Sequence, residues 1–132
     1  MKILLVSAAA LIDVDGRVLL SQRQQGKNMA GLWEFPGGKV ENKESPEIAL
    51  IRELEEELGI LTWGSCLAPL SFASHPYKNF HLLMPLFVCR KWEGIPMPRE
   101  GQKLNWVYPQ DLKNYKMPPA DLPLIPILRD WL

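Results

Sequence analysis

Histidine and cysteine, which are common metal ligands and catalytic groups, are scarce in this sequence, which has two of each. Neither Cys66 nor Cys89 belongs to a Cys-x-x-Cys pair, and both lie in apolar stretches. This pattern argues against a cysteine-based zinc site. It predicts two buried thiols in the reducing environment of the cytoplasm. We expect His75 and His81 to be structural.

The chain also lacks net charge, because 15 Lys and Arg residues balance 15 Asp and Glu residues. Polynucleotide-binding proteins usually have a basic face, so we expect no polynucleotide partner. No apolar stretch approaches the ~20 residues of a membrane helix. The run from Ile3 to Ile12 has the length of a signal-peptide core. However, the turn sequence Asp13-Val14-Asp15-Gly16 follows it in place of a cleavage site, so we interpret the run as a strand.

A length of 132 residues predicts a single domain, residues 1–132. Apolar runs and turn signals predict strands over residues 3–14, 17–23, 62–73, 79–92 and 104–108. A helix is predicted over residues 44–59, a helical turn over 111–115 and a C-terminal helix from about Asp121 to Trp131. Hairpins mixed with helical crossovers favour an α/β fold, an α/β/α sandwich around a mixed central β-sheet.

The helix over residues 44–59 has well-defined predicted ends. Ser45 is a suitable N-cap, and Pro46 suits the first helical position. Glu47 favours the positive end of the helix dipole. Gly59 is placed to end the helix in the left-handed conformation.

Three carboxylates share one face of this helix. Glu53, Glu56 and Glu57 have the spacing i, i+3, i+4, which places them within about 100° of arc. Like charges at this spacing repel, and a hard dication such as Mg²⁺ would remove the repulsion. A solvated acidic face would have the same spacing, so spacing alone leaves both interpretations open.

The segment before the helix contains Gly37-Gly38-Lys39. Two glycines permit a close backbone approach to a phosphate, or a carbonyl exposed to a metal. Lys39 can meet a phosphate as a point charge. By itself such a segment is usually only a turn.

Together these residues resemble the signature of the Nudix hydrolases, Gly-x5-Glu-x7-Arg-Glu-U-x-Glu-Glu-x-Gly-U, in which U is a bulky aliphatic residue. All nine required positions are filled at the right spacing, from Gly38 through Glu44 and Arg52 to Ile60. The resemblance implies a sandwich fold and hydrolysis of nucleoside diphosphates linked to another group. It also implies a divalent metal, Mg²⁺ with Mn²⁺ as a substitute.

The resemblance further implies roles for single residues. Glu53, Glu56 and Glu57 would be metal ligands, joined by a backbone carbonyl of Gly37 or Gly38. One glutamate, most often the one at the Glu53 position, is credited as general base. Arg52 would orient the glutamates, and Glu44 would bind a further metal, brace the loop or simply adjoin the N-cap.

Outside the signature, the chain is similar to the MutT branch, which hydrolyses 8-oxo-dGTP to the monophosphate and pyrophosphate. The similarity lies in segments 20–23, 29–30, 34–39, 91–94, 100–102 and 118–120. It implies that Arg23 contacts the nucleotide or its phosphates, that Glu34, Phe35, Pro36 and Gly37 line the purine pocket, and that Glu100 is a further metal ligand. Without the resemblance, Glu100 would be interpreted as an exposed loop residue.

Two positions depart from the MutT pattern. Asn28 replaces a histidine, and Asp121 replaces the asparagine that contacts the purine. An ionised aspartate only accepts hydrogen bonds, whereas asparagine also donates. We hypothesise that Asp121 faces the purine; the alternative is that it caps the last helix.

Three functions follow as hypotheses. The first is a cytoplasmic, monomeric hydrolase of free nucleoside triphosphates that removes 8-oxo-dGTP from the nucleotide pool and so limits mutation. The second is Nudix hydrolysis of another nucleoside diphosphate derivative, such as a dinucleotide or nucleotide sugar. The third is a binding module without turnover, as in the recognition domain of an adenine glycosylase. The intact signature argues against this third hypothesis.

Overall fold

The computed structural model describes all 132 residues. It contains seven strands and two α-helices, with 3₁₀ turns at Gly64–Cys66 and Pro109–Asn114. In chain order these are β1 (Ile3–Leu11), β2 (Val18–Gln22), β3 (Trp33–Glu34), β4 (Gly37–Lys39), α1 (Pro46–Leu58), β5 (Leu67–Pro76), β6 (His81–Cys89), β7 (Lys103–Val107) and α2 (Leu124–Trp131). Neither helix has the length and apolar character needed to cross a bilayer.

The strands form two sheets. The larger sheet has the order β4-β1-β6-β5, and the smaller one has the order β3-β2-β7. Strand β1 runs antiparallel to β4 and parallel to β6, so the central sheet is mixed, as predicted. The register places Ser7 opposite Gly38 and Ala8 opposite Gly37.

Strand β1 separates two apolar layers, which explains its continuous apolar sequence. Ala8, Ala10 and Ile12 belong to the core cluster that contains α2 residues. Ala9 and Leu11 belong to the other cluster, together with α1 residues. Because alternate residues of a strand point to opposite faces, the two helices lie on opposite sides of this sheet. The predicted α/β/α sandwich is confirmed.

The predicted capping residues of α1 are confirmed, and the helix is slightly shorter than the predicted range 44–59. The Ser45 hydroxyl accepts a hydrogen bond from the Ile48 amide at 3.2 Å. Pro46 is the first helical residue, and Gly59 ends the helix with φ of 72°. Leu50, Leu54 and Leu58 are fully buried against the sheet, which leaves the glutamates on another face of the helix.

Several predicted boundaries were wrong. Strand β1 ends at Leu11 rather than Val14, because the Asp13 carboxylate accepts hydrogen bonds from two following amides and forms a turn. The predicted strand over 62–73 begins only at Leu67, after a 3₁₀ turn, and extends to Pro76. The predicted strand over 79–92 spans only His81–Cys89. Helix α2 begins at Leu124, after a turn closed by the Leu124 amide and the Asp121 carbonyl.

Strands β3 and β4 were not predicted. They contain two and three residues, too few to show a period, and β4 has the turn-like sequence Gly-Gly-Lys. Their pairing depends on β2 and β1, which are distant in sequence.

Candidate active site

An open cleft of about 540 Å³ lies beside β1 and β4. One group of lining residues surrounds the end of α1 and the β4 backbone: Gly37, Gly38, Lys39, Glu57 and Glu100. A second group comes from other elements: Arg23, Asn28, Glu34, Phe35, Tyr77, Phe80 and Asp121. Residues more than 60 positions apart in sequence therefore share one cleft.

The signature loop is held by Arg52. Its guanidinium donates to both carboxylate oxygens of Glu44, at 2.8 and 2.9 Å, and to the Lys39 carbonyl at 3.1 Å. It also lies 3.3 Å from Glu53 and 3.5 Å from Glu56. The hydrogen bonds from Arg52 lower the pKa of Glu44 to about 2. The arrangement is an ionic brace between the loop and α1.

The two glycines of β4 allow close approaches that other residues would prevent. A Cβ on Gly38 would overlap the Glu53 carboxylate, and one on Gly37 would overlap the Ser7 carbonyl oxygen. Gly37 also has φ of 153°, which favours glycine. Helix α1 can therefore place a glutamate directly on the β4 backbone.

The carboxylates here disfavour one another's ionisation. Burial, followed by repulsion from Glu53, Glu100 and Glu34, raises the pKa of Glu57 to about 8. The pKa of Glu53 is also raised, first by burial and then by Glu56 and Glu100, with Arg52 opposing the shift.

No three Asp, Glu, His or Cys side chains converge at ligand distances in the structure. The atoms available as metal ligands are nonetheless all oxygens. The carboxylates of Glu53 and Glu57 are crowded, and their negative charges are incompletely neutralised. This chemistry fits a hard divalent cation.

Glu100 reaches this cluster because its loop closes the carboxyl end of α1. The Glu57 carbonyl accepts hydrogen bonds from the Arg99 amide at 3.1 Å and the Gln102 side chain at 3.0 Å. The Met97 amide donates to the Leu58 carbonyl at 3.0 Å. Sequence reasoning did not assign these anchoring roles, because the acceptors are backbone carbonyls about 40 residues away.

The other group of cleft residues has its own charge network. Arg23 donates to Glu34 at 3.2 Å and to the Asn28 carbonyl at 3.2 Å. Asp121 has only 4% of its surface exposed. Burial, followed by repulsion from Glu34, raises its pKa to about 7, although Arg23 opposes the shift. The N-cap position of α2 is Pro123, without a side-chain cap, so Asp121 does not cap the helix through its carboxylate.

Other predicted residues lie outside the cleft lining. Pro36 is buried, and its carbonyl accepts from the Ala9 amide at 2.9 Å. Glu53 lies over Gly38, while Glu56 is mostly exposed and near Arg52.

Tyr77 and Phe80 line the cleft with ring centroids 5.2 Å apart and had no predicted role. No local pattern distinguishes them from core aromatics.

A family model described as a NUDIX domain matches residues 7–126, almost the whole chain. The chain belongs to the Nudix family. This Nudix hydrolase is 42% identical over 120 residues to the CTP pyrophosphohydrolase of Escherichia coli K12, covering 89% of this chain and 85% of that protein. It is 39% identical over 124 residues to the 8-oxo-dGTP diphosphatase of Haemophilus influenzae, covering 94% and 90%.

Solved structures agree with this assignment. A MutT structure, from a study of the Aliivibrio salmonicida and Vibrio cholerae proteins, superposes with a TM-score of 0.84 at 32% identity, covering 99% of this chain and 100% of that one. The protein is thus a Nudix hydrolase of MutT type, a family that uses divalent metal ions. Its two relatives are named for different nucleotides, so their names leave the base open.

Proposed function

We propose that this Nudix hydrolase is a Mg²⁺-dependent nucleoside triphosphate pyrophosphohydrolase that converts 8-oxo-dGTP to 8-oxo-dGMP and pyrophosphate. The main support is that one cleft combines several crowded carboxylates with a separate set of polar residues around Asp121. The carboxylates suit a cation and the triphosphate bound to it, and the polar residues suit a nucleobase. Glu34 interacts with both groups, so they are close enough for one nucleotide.

We assign the metal-binding role to oxygen donors around the end of α1, some of which line the cleft and some of which lie beside it. These are the Glu53, Glu56, Glu57 and Glu100 carboxylates and a backbone carbonyl of Gly37 or Gly38. A bound Mg²⁺, or Mn²⁺ in its place, supplies Lewis-acid stabilisation of the phosphoryl charge and makes water more acidic.

The remaining roles belong to residues around that group. Glu53 acts as general base and takes the proton of the attacking water on its carboxylate. Arg52 orients Glu53 and Glu56 through its contacts at 3.3 and 3.5 Å. Lys39 and Arg23, which both border the cleft, bind phosphate oxygens as cations.

The nucleobase of the substrate occupies the part of the cleft lined by Asn28, Glu34, Phe35 and Asp121. An ionised Asp121 accepts hydrogen bonds from the guanine N1 and exocyclic amine, or from the N7 hydrogen that only the oxidised base carries. A protonated Asp121 also donates and could pair with N3 and the amine of cytosine. The similarity to a CTP pyrophosphohydrolase makes cytidine triphosphate the second candidate substrate.

The pKa of Asp121 predicts that the preference for one nucleobase over another depends on pH. As pH rises through about 7, Asp121 ionises, and the ratio of kcat/KM for 8-oxo-dGTP to that for CTP should rise. Because both substrates carry a triphosphate, their ratio largely cancels phosphate ionisation. Asp121→Asn should make the ratio nearly independent of pH in this range.

The charged and titratable groups facing Asp121 are Glu34, Arg23 and Tyr77, and all three remain in the variant. Asp111→Asn, at an exposed position, is the matched control and should keep the wild-type profile. A ratio that varies with pH equally in wild type and Asp121→Asn would contradict this role.

A substrate panel tests the function itself. With Mg²⁺ present, 8-oxo-dGTP should be hydrolysed faster than dGTP, CTP or ADP-ribose, and product analysis should show pyrophosphate. EDTA should abolish turnover. Fastest turnover of CTP would favour the second candidate, and binding without turnover of any compound would favour a binding module.

We also propose that the protein acts as a monomer on free nucleotides in the cytoplasm. The balanced charge and the two free cysteines support this view.

A further inference from the structure

Ser7 has an unusual environment for a polar residue. It lies within β1, has none of its surface exposed, and its hydroxyl has no hydrogen-bond partner. No other fully buried side-chain nitrogen or oxygen lacks a partner. An unpaired buried hydroxyl reduces stability, so its presence calls for a functional explanation.

The strand register shows which way the Ser7 side chain points. Ser7 pairs with Gly38 in an antiparallel ladder, and directly paired residues have their side chains on the same face. The side-chain position of Gly38 is where the Glu53 carboxylate lies, with Oε2 as the nearest atom. The Ser7 hydroxyl and Glu53 Oε2 therefore share one face of the sheet.

The rest of β1 supports this orientation. Ala9 and Leu11, which point to the same side as Ser7, pack in one cluster with Leu50 and Leu54 of α1. Ser7 also borders the cleft together with Gly38 and Glu57. Its hydroxyl thus lies between the sheet and α1, on the side where the Glu53 carboxylate lies.

The chemistry of the two groups is complementary. Arg52 donates a hydrogen bond to Oε1 of the Glu53 carboxylate, and Oε2, which lies against Gly38, can accept another. A serine hydroxyl can supply one. Hydrogen bonds from neighbouring side chains commonly orient carboxylates that ligate metals.

We propose that Ser7 is a positioning residue that donates its hydroxyl hydrogen to Glu53 Oε2 and holds this carboxylate in its metal-binding orientation. The role rests on the proposed function, in which Glu53 is a ligand. The Ser7 hydroxyl has no hydrogen-bond partner in the structure, so this donation requires a side-chain adjustment of Ser7 or Glu53.

The test is Ser7→Ala, measured by calorimetric titration with Mn²⁺ and by thermal unfolding of the metal-free protein. We expect about 10- to 100-fold weaker Mn²⁺ binding, as for other groups that orient ligands. The metal-free melting temperature should be unchanged or higher, because the variant buries no unpaired hydroxyl. Ser71→Ala, on the opposite edge strand of the same sheet, is the control and should leave Mn²⁺ binding unchanged.

Unchanged Mn²⁺ affinity in Ser7→Ala would overturn the proposal, whatever the melting temperature. Weaker binding with a lower metal-free melting temperature would also overturn it, since the hydroxyl would then have a structural partner. If wild type itself took up no Mn²⁺, the proposed function would fail and this role with it. Normal wild-type uptake with unchanged variant uptake would remove only the role of Ser7.

Discussion

Replacing Glu57 with glutamine should lower kcat by more than about 100-fold, because loss of a residue that only orients a ligand already costs about 10- to 100-fold. The same variant should be more stable than wild type when metal-free at pH above about 8. Glutamine has nearly the shape of glutamate but cannot carry the charge that burial disfavours and that Glu53, Glu100 and Glu34 repel.

The sign of the stability effect follows from the raised pKa of Glu57. The protonated form is favoured in the folded state, so folding is penalised as pH rises from the ordinary value of 4.5 to about 8. Glutamine avoids this penalty. The difference in melting temperature should therefore be small near pH 4 and grow until about pH 8.

Glu55→Gln is the matched control, because Glu55 is an exposed residue of the same helix. It should change neither kcat nor the pH dependence of stability appreciably. Wild-type activity in Glu57→Gln, with unchanged Mg²⁺ dependence, would contradict the assignment of Glu57 as a ligand.

The second large effect is expected for Arg52→Ala. This substitution removes hydrogen bonds to Glu44 and the Lys39 carbonyl and leaves Glu53 and Glu56 without their cation. We expect kcat to fall by about 10- to 100-fold, since the ligands lose an orienting partner. The melting temperature should fall by several degrees.

The loss of stability in Arg52→Ala should also depend on pH. Whereas the charge on Glu57 destabilises the fold as pH rises, the pair of Glu44 and Arg52 stabilises it as pH rises. The pKa of Glu44 is lowered to about 2, so its pairing with Arg52 stabilises the fold above the ordinary value of 4.5 and is lost as pH falls toward 2. Thermal unfolding at pH 7 and pH 3 should show a smaller difference from wild type at the lower pH.

Arg17→Ala controls for loss of an ion pair elsewhere. Arg17 lies 2.8 Å from Asp13 at a similar exposure, but in the turn after β1. It should leave kcat unchanged. Equal losses of activity in both variants would indicate general destabilisation and contradict an orienting role for Arg52.

Local sequence was sufficient for α1 and its ends. Ser45, Pro46 and Gly59 act on backbone groups within one helical turn, so their roles needed no distant partner. The regular spacing of Glu53, Glu56 and Glu57 likewise depends only on helix geometry. Both were predictable for that reason. The end of β1 at Leu11 and the start of β5 at Leu67 were predicted wrongly, because turns interrupt the apolar sequence at these two places.

The sequence by itself determined the Nudix signature, the helix that bears it and the apolar character of β1. The helix forms through contacts between near neighbours, and the signature and the apolar run can be read directly from the order of the residues. Only the tertiary structure decided that Glu100 approaches Glu57, that Asp121 faces the cleft instead of capping α2, and that Ser7 is buried without a partner. Burial and charge repulsion depend on which distant segments pack together, and no local pattern contains that information.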